Sequence, residues 1–306
     1  SPSDGTREYY DYVDTHLYWC HPQAVGKQTW GLPTFVSISS PVAAFAGGIK
    51  DVFYARYTGK PMVVSEWGYC YPNPHSFEGE FLMSAYSSLQ GYNGLMQFCY
   101  SENQIGKDLK KCFGVFLLDN NPGHALSSLA GSLMFLRGDI ASAKEQVLAT
   151  PQSAAGVQLP LIMRVGLVSK FAPANLPLAL GAEQKWDKTN HLQIRKKSDA
   201  QFIADVKKAV GLAANPVLKD GTIASATGEL KLNAKKRRFQ AVSPKSEAVI
   251  LDKNDYAKGK FMRVKNGKTN AVFYIGSLDN KPLTESKRMM LIHLTDIKNE
   301  GIVFSD

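Results

Sequence analysis

Long apolar runs, paired cysteines and internal repeats are absent from this sequence of 306 residues. No window approaches 18 uninterrupted apolar residues, so we expect no membrane-spanning helix. The four cysteines form no CxxC pair and show no metal-ligand spacing, so we expect neither a metal nor another cofactor. A disulfide between Cys20 and Cys70 is conceivable, but the sequence does not decide it.

Lysine and arginine are scarce in the first 100 residues, although the whole chain has a formal net charge of +9. A positive balance of this size suggests an anionic partner. The distribution argues against one, because the densest basic run, 235–238, lies between two strand-like patterns. Such a run is typical of the solvated turn of a hairpin. We therefore expect no nucleic-acid partner.

A series of strand, loop and helix occurs three times in the first part of the chain. Apolar runs within 11–19, 61–66 and 95–101 predict strands, and residues 41–58, 77–91 and 124–136 predict helices. Each strand is followed by a long loop, a feature that is usually functional in a compact domain. The series is typical of parallel α/β units, whose functional residues lie at the carboxyl ends of the strands.

The pattern changes near residue 145. Residues 198–212 predict an amphipathic helix, and from residue 221 onward the chain consists of short alternating runs typical of strands. Strands at this regular spacing predict a β-sandwich. We therefore expect two domains, an α/β domain over residues 1–145 and a β-rich, sandwich-like domain over residues 146–306.

Glu66 ends the most informative predicted strand, in the run Lys-Pro-Met-Val-Val-Ser-Glu-Trp-Gly over residues 60–68. A carboxylate at the end of an otherwise apolar strand is costly to bury unless it is used. His16, Tyr18 and Trp19 end the preceding strand-like run, 11–19. Glu66 is the first candidate for a functional residue.

The ordered runs DYVDTHLYW, GKPMVVSEWG, GYNGLMQFCYS and LMFLRGDI resemble the C-terminal part of a clan A, cellulase-like glycoside hydrolase. These retaining enzymes are (β/α)8 barrels, and the three predicted strands resemble barrel strands six to eight. The later runs SATGELKLNAKKRRFQAVSPKSEAVIL and GSLDNKPLTESKRMMLIHLT resemble the β-sandwich that follows the barrel in some bacterial members. The resemblance implies the fold class α/β plus β, with the last three units of a barrel followed by a sandwich.

The resemblance also implies roles for individual residues. Glu66 matches the catalytic nucleophile, and His16 and Tyr18 match the pair that contacts sugar and nucleophile. Phe98 or Tyr100 matches the aromatic platform below the sugar. The other implied substrate-binding residues, which would line the cleft, are Trp19, Trp30, Trp67 and Tyr71.

A retaining glycosidase needs a second carboxyl group as acid and then base. In the resembling family this glutamate follows an asparagine at the end of strand four, and no Asn-Glu precedes Glu66 here. Strands one to five are therefore expected to be missing, and we expect the fragment alone to be inactive. The nearby carboxylates Glu78, Glu80 and Glu102 are weak substitutes, since the first two also suit the first turn of a helix.

The resulting hypothesis is a fragment of a retaining β-glycosidase or glycanase, acting on an oligo- or polysaccharide outside the cytoplasm. Its partners would be the carbohydrate and, at the open sheet edge, a missing N-terminal half of the barrel or a second copy. Two alternatives stay open. One is a non-catalytic carbohydrate-binding or assembly module, and the other is an α/β protein whose match is accidental. The sequence decides neither the glycan nor endo versus exo action.

Overall fold

The structure is a computed structural model that describes residues 9–25, 34–101, 114–119, 121–144, 146–149, 159–167, 178–179, 191–192 and 216–297. The helices are α1 (Glu78–Gln90), α2 (Pro122–Leu136) and α3 (Leu159–Ile162), with a 3-10 helix at Ile49–Ala55. The first nine strands are β1 (Val13–Trp19), β2 (Gln23–Ala24), β3 (Thr34–Phe35), β4 (Met62–Tyr69), β5 (Gly94–Gln97), β6 (Gln146–Ala149), β7 (Arg164–Leu167), β8 (Leu178–Ala179) and β9 (His191–Leu192). The remaining strands are β10 (Ile223–Ala224), β11 (Leu230–Asn233), β12 (Arg238–Val242), β13 (Ser246–Leu251), β14 (Tyr256–Lys258), β15 (Arg263–Lys265), β16 (Ala271–Ser277) and β17 (Met289–Leu294). The predicted helix over 198–212, Trp30 and Glu102 lie outside the described residues.

A parallel sheet of three strands, in the order β1-β4-β5, carries the N-terminal part of the described chain. Helix α1 connects β4 to β5, and every one of its residues is buried. Its apolar residues recur at helical spacing, and it ends at Gly91, whose φ of 67° suits a glycine. The helix predicted over 77–91 is thereby confirmed.

The segment between β1 and β4 differs from the prediction. The sequence predicts a helix over 41–58, but the structure has turns followed by the 3-10 helix Ile49–Ala55. The backbone dihedral angles explain the difference. Phe45, Ala46 and Gly48 have φ values of 56°, 59° and 88°. Because a right-handed α-helix requires negative φ, these residues prevent a continuous helix over 41–58.

Helix α2 begins with a well-formed cap. The side chain of Asn121 accepts a hydrogen bond from the backbone N–H of His124, and Pro122 occupies the first helical turn. The helix ends at Leu136, close to the end predicted from the sequence. No helix in the described part of the chain is both long and apolar enough to span a membrane.

An antiparallel sheet of six strands, in the order β10-β11-β12-β13-β16-β17, forms the C-terminal part. One of its faces packs on α1, where the ring of Phe81 lies 5.5 Å from that of Tyr274 and Tyr86 lies 5.6 Å from Phe239. Buried side chains of the parallel sheet, the helices and this face form one continuous hydrophobic cluster. A separate small cluster joins the opposite face to the β14-β15 hairpin.

Glu247 attaches the loop of the β14-β15 hairpin to the six-stranded sheet. Its fully buried carboxylate accepts hydrogen bonds from three consecutive backbone N–H groups, those of Lys260, Phe261 and Met262. The side-chain amide of Gln240 donates a fourth. A buried carboxylate is tolerated here because each oxygen has donors.

The basic run 235–238 forms the turn of the β11-β12 hairpin, as the sequence predicts. Acidic side chains lie against three of its four cations. The pairs are Lys236–Asp220 at 2.9 Å, Arg237–Asp252 at 3.6 Å and Arg238–Asp255 at 2.5 Å. The local positive charge is thus largely matched by neighbouring carboxylates.

Candidate functional site

The parallel sheet has one covered face and one open face. On β1, Val13 and Leu17 are buried against the helices, whereas Asp14 and His16 are exposed and Tyr18 is half-buried. Alternation along the strand places Asp14, His16 and Tyr18 together on the open face. The sequence pattern Asp-x-His-x-Tyr therefore becomes a row of polar side chains.

A β-bulge in β4 adds two more polar groups to this row. Thr15 pairs with Val64 and His16 pairs with Glu66, so Ser65 is the extra residue on β4. A bulge changes the direction in which neighbouring side chains point. As a result the consecutive residues Ser65 and Glu66 both reach His16.

Glu66 is held from two sides. Its Oε1 atom accepts a hydrogen bond of 2.6 Å from the Tyr18 hydroxyl, and its Oε2 atom lies 3.5 Å from His16 Nδ1. Burial, and after it the bond to Glu66, raises the pKa of Tyr18 well above its ordinary value. The hydroxyl therefore keeps its proton and remains a donor to the carboxylate. One third of the Glu66 side chain remains exposed, at 33%.

Asp14 and Ser65 form a second hydrogen-bonded pair beside His16. The Ser65 hydroxyl donates to Asp14 Oδ2 over 2.6 Å, and the Ser65 backbone N–H donates to Asp14 Oδ1 over 3.0 Å. His16 Nε2 lies 3.1 Å from Ser65 Oγ and 3.7 Å from Asp14 Oδ2. His16 thus stands between two carboxylates, with Glu66 at one nitrogen and the Asp14–Ser65 pair at the other.

An aromatic cluster borders Glu66. The Tyr18 ring lies 5.2 Å from His21, 5.0 Å from Phe116 and 6.4 Å from Phe98, measured between centroids. Gly68 makes room for it, because a Cβ atom there would lie 3.1 Å from the Tyr18 ring. The peptide bond between Phe98 and Cys99 is cis. The aromatic rings of Tyr18, Phe98 and Phe116 have apolar faces of the type that pack against the C–H faces of sugars.

The other aromatic residues predicted for the cleft occupy different environments. Trp67 is buried at 4% exposure and lies 6.3 Å from Tyr69, on the covered face of the sheet. Tyr71 is also buried, whereas Tyr100 is 72% exposed. Trp19 is half-buried, and its indole N–H donates to the Ser39 carbonyl. Of the predicted substrate-binding aromatic residues that the structure describes, Phe98 is the one brought to the Tyr18 ring.

Glu78 and Glu80 lie on the first turn of α1, on the covered face of the sheet, and both are buried. The Glu78 carboxylate lies 2.6 Å from His75 Nδ1. The side-chain amide of Gln97 donates to Glu80, but burial dominates and raises the pKa of Glu80 to about 8. Neither carboxylate lies in the hydrogen-bond network of Glu66 that the described residues form.

The cysteines near the site are free thiols. Cys20 and Cys70 follow the paired ends of β1 and β4, and the structure has no disulfide between them. Burial raises the pKa of Cys70 above its ordinary value. Among the residues that the structure describes, no three His, Cys, Asp or Glu side chains are grouped so as to hold a metal ion.

Three residues of the site were not predicted from the sequence, namely Asp14, Ser65 and Phe116. Asp14 carried a usable signal, because it precedes His16 by two residues and therefore shares its strand face. Ser65 carried none, since its direction depends on the bulge. Phe116 follows a segment without a readable period, and only tertiary packing brings it to Tyr18.

Comparison of the chain with protein-family models, with curated proteins and with solved structures finds no match. The functional interpretation therefore depends on the geometry of the open face. That geometry offers the partly exposed Glu66 carboxylate, with a tyrosine donor on one oxygen, a histidine at the other, and aromatic rings beside it.

Proposed function

We propose that this chain carries the nucleophile side of a retaining β-glycoside hydrolase, with Glu66 as the nucleophile. The observation that carries the proposal is the 2.6 Å hydrogen bond from Tyr18 to Glu66 on a solvent-open sheet face. A charge-assisted bond of this kind holds one oxygen of the carboxylate in a fixed position. The second oxygen remains next to His16 and accessible from the open face.

The first step of a retaining mechanism requires a carboxylate held close to the anomeric carbon of the sugar. In a retaining mechanism the carboxylate attacks the anomeric carbon, the bond to the leaving group breaks, and a covalent glycosyl-enzyme forms. Water then hydrolyses this intermediate. The aromatic cluster of Tyr18, Phe98 and Phe116 would contact the apolar side of the sugar ring.

The mechanism also needs a proton donor. The second carboxylate that the described residues place in the Glu66 network is Asp14, and both of its oxygens accept hydrogen bonds from Ser65. Asp14 is therefore used as an acceptor. We propose that the general acid is supplied by a polypeptide segment that adds to the open sheet, either a barrel half or a second copy.

Two surfaces support such an addition. β1 and β5 are the outer strands of the three-stranded parallel sheet in the described chain. Helix α2 contains no charged residue, and Leu126, Leu129 and Leu136 on its outer side are 46%, 56% and 81% exposed. Unpaired strand edges and uncharged leucine-rich helix faces are typical of surfaces that another chain segment covers.

A glycan-binding or assembly module is the second candidate. The observation that favours it is the acceptor-only role of Asp14, which leaves the Glu66 network of the described residues without a carboxylic acid that could protonate a leaving group. In that case the aromatic cluster binds a sugar and Glu66 accepts hydrogen bonds from its hydroxyl groups. For either function the substrate is a polymer or oligomer, and we propose that the protein works outside the cytoplasm.

Covalent trapping separates the two candidates. Dinitrophenyl 2-deoxy-2-fluoroglycosides have a leaving group that departs without a general acid, so trapping requires only the nucleophile. We expect the β-glucosyl, β-mannosyl, β-xylosyl or β-cellobiosyl reagent to add one glycosyl group to the chain. Peptide mapping by mass spectrometry should locate the adduct at Glu66.

The matched variants are Glu66→Gln, which should give no adduct, and Glu285→Gln on an exposed loop, which should react like the wild type. An adduct that persists in Glu66→Gln overturns the assignment of the nucleophile. Absence of an adduct with all four reagents, together with binding of the matching oligosaccharide in calorimetry, overturns the hydrolase and supports the binding module.

A further inference from the structure

The position of hydrogens around His16 follows from the heavy-atom geometry. Ser65 Oγ has a single proton, and the 2.6 Å contact to Asp14 Oδ2 uses it, because a carboxylate offers only acceptors. Ser65 Oγ therefore presents a lone pair to His16 Nε2 at 3.1 Å. His16 Nε2 must carry the hydrogen of that bond.

The other ring nitrogen faces an acceptor as well. His16 Nδ1 lies 3.5 Å from Glu66 Oε2. With Nε2 donating to Ser65, this contact is attractive only when Nδ1 also carries hydrogen, since a lone pair would face a carboxylate. Asp14 thus acts on Glu66 at a distance, through Ser65 and the imidazole.

We propose that Asp14 is a positioning residue, which acts through Ser65 to fix a hydrogen on His16 Nε2 and so directs Nδ1 toward Glu66. The inference rests on the proposed role of Glu66 for its functional meaning, but not for its test. The bulge at Ser65 makes the arrangement possible, because it places Ser65 and Glu66 on the same side of β4.

Ser65, His16 and Glu66 could also be arranged as a serine hydrolase triad, with Ser65 as nucleophile, His16 as base and Glu66 as orienting acid. The direction of the hydrogen bond argues against that role. In a triad the serine hydroxyl donates to the histidine, whereas here it donates to Asp14. A serine nucleophile at this site would need the Asp14 bond to be broken first.

Nitrogen NMR of the histidine rings tests the inference in the chain as it exists. Long-range proton–nitrogen correlation on protein with labelled histidines reports which ring nitrogen carries hydrogen, and the variant His16→Gln assigns the signal. We expect hydrogen on Nε2 in the wild type. In Asp14→Asn the new amide donates to Ser65, the Ser65 hydroxyl turns to His16, and the ring should shift to the form with hydrogen on Nδ1 only.

Asp14→Ala is the second variant, because it also releases the Ser65 hydroxyl and should give the same shift without a new amide. Ser65→Ala removes the hydroxyl and leaves Asp14 Oδ2 as the direct acceptor, so Nε2 should keep its hydrogen. Asp11→Asn, at an exposed position just before β1, is the control and should leave the signal unchanged.

An unchanged His16 signal in both Asp14 variants overturns the inference, and so does a wild-type ring with hydrogen on Nδ1 only. Reaction of Ser65 with a fluorophosphonate probe would favour the triad and overturn it too. The two proposals can fail independently. The trapping experiment measures glycosylation of Glu66, whereas the NMR experiment measures which nitrogen of His16 carries hydrogen.

Discussion

Replacing Glu80 by glutamine should stabilise the protein at neutral and alkaline pH. Glu80 is buried at the start of α1, and burial raises its pKa from 4.5 to about 8. The folded state therefore holds a proton over this pH range that the unfolded state releases. The free energy of unfolding changes with pH in proportion to the protons bound by the unfolded state minus those bound by the native state. This difference is negative here, because the native state binds the extra proton. The free energy of unfolding therefore falls as pH rises.

The magnitude follows from the two pKa values. One proton changes the free energy of unfolding by about 1.4 kcal/mol per pH unit. The loss begins near pH 4.5 and is complete near pH 8, where it amounts to about 5 kcal/mol. Glutamine has no proton to release, so Glu80→Gln should match the wild type near pH 4.5 and exceed it increasingly up to pH 8.

The local hydrogen bonding supports the substitution. The Gln97 amide already donates to Glu80, while Gln97 Oε1 is buried without a partner among the described residues. The protonated carboxyl of Glu80, or the amide of the variant, has the donor that Gln97 Oε1 lacks. The replacement therefore retains the bonding of the neutral acid.

Urea unfolding at several pH values between 5 and 8 measures the effect. The difference between Glu80→Gln and the wild type should grow with pH, and other titrating groups contribute equally to both proteins. Glu285→Gln, at an exposed position, should show a constant difference near zero. Parallel profiles for Glu80→Gln and the wild type, or a variant that is less stable at pH 8, would refute the reasoning.

Three further changes probe the site, the sheet and the open surface. Tyr18→Phe removes the bond that fixes the orientation of the Glu66 carboxylate, so covalent trapping at Glu66 should slow about 10- to 100-fold, and an unchanged rate contradicts this. Glu247→Ala leaves one buried and two partly buried N–H groups without their acceptor, and urea unfolding should show a loss of about 3 kcal/mol. Light scattering should show association that Leu129→Glu weakens, whereas a clean wild-type monomer without a second polypeptide contradicts it.

The regular elements could largely be predicted from the sequence. Helices α1 and α2 carry apolar spacing and end signals that are local, and β12 alternates while β13 and β16 are short, nearly continuous buried runs. The helix predicted over 41–58 was wrong because the backbone adopts positive φ at Phe45, Ala46 and Gly48. Phe and Ala rarely adopt this conformation, so the sequence carried no signal for it.

The site divides in the same way. Glu66 was predicted from its position at a strand end, the resemblance added His16 and Tyr18, and the structure places all three in contact. Phe116 and the buried state of Trp67 were not predicted, since both depend on how separate segments pack. Glu78 and Glu80 were expected on a helix turn, but a sequence does not reveal that such a turn faces the core.

The bulge at Ser65 bears on how this strand tolerates changes of length. A regular strand offers one open-face side chain for every two residues, and β4 offers two in succession. Deleting Ser65 would restore strict alternation with Trp67 and Tyr69 still in the core and Glu66 still outward. The burial of the β4 core side chains therefore does not require this residue, whereas the polar network would lose its central hydroxyl. The single extra residue of the bulge thus supplies the contacts to His16 and Asp14 that a regular β4 strand would lack.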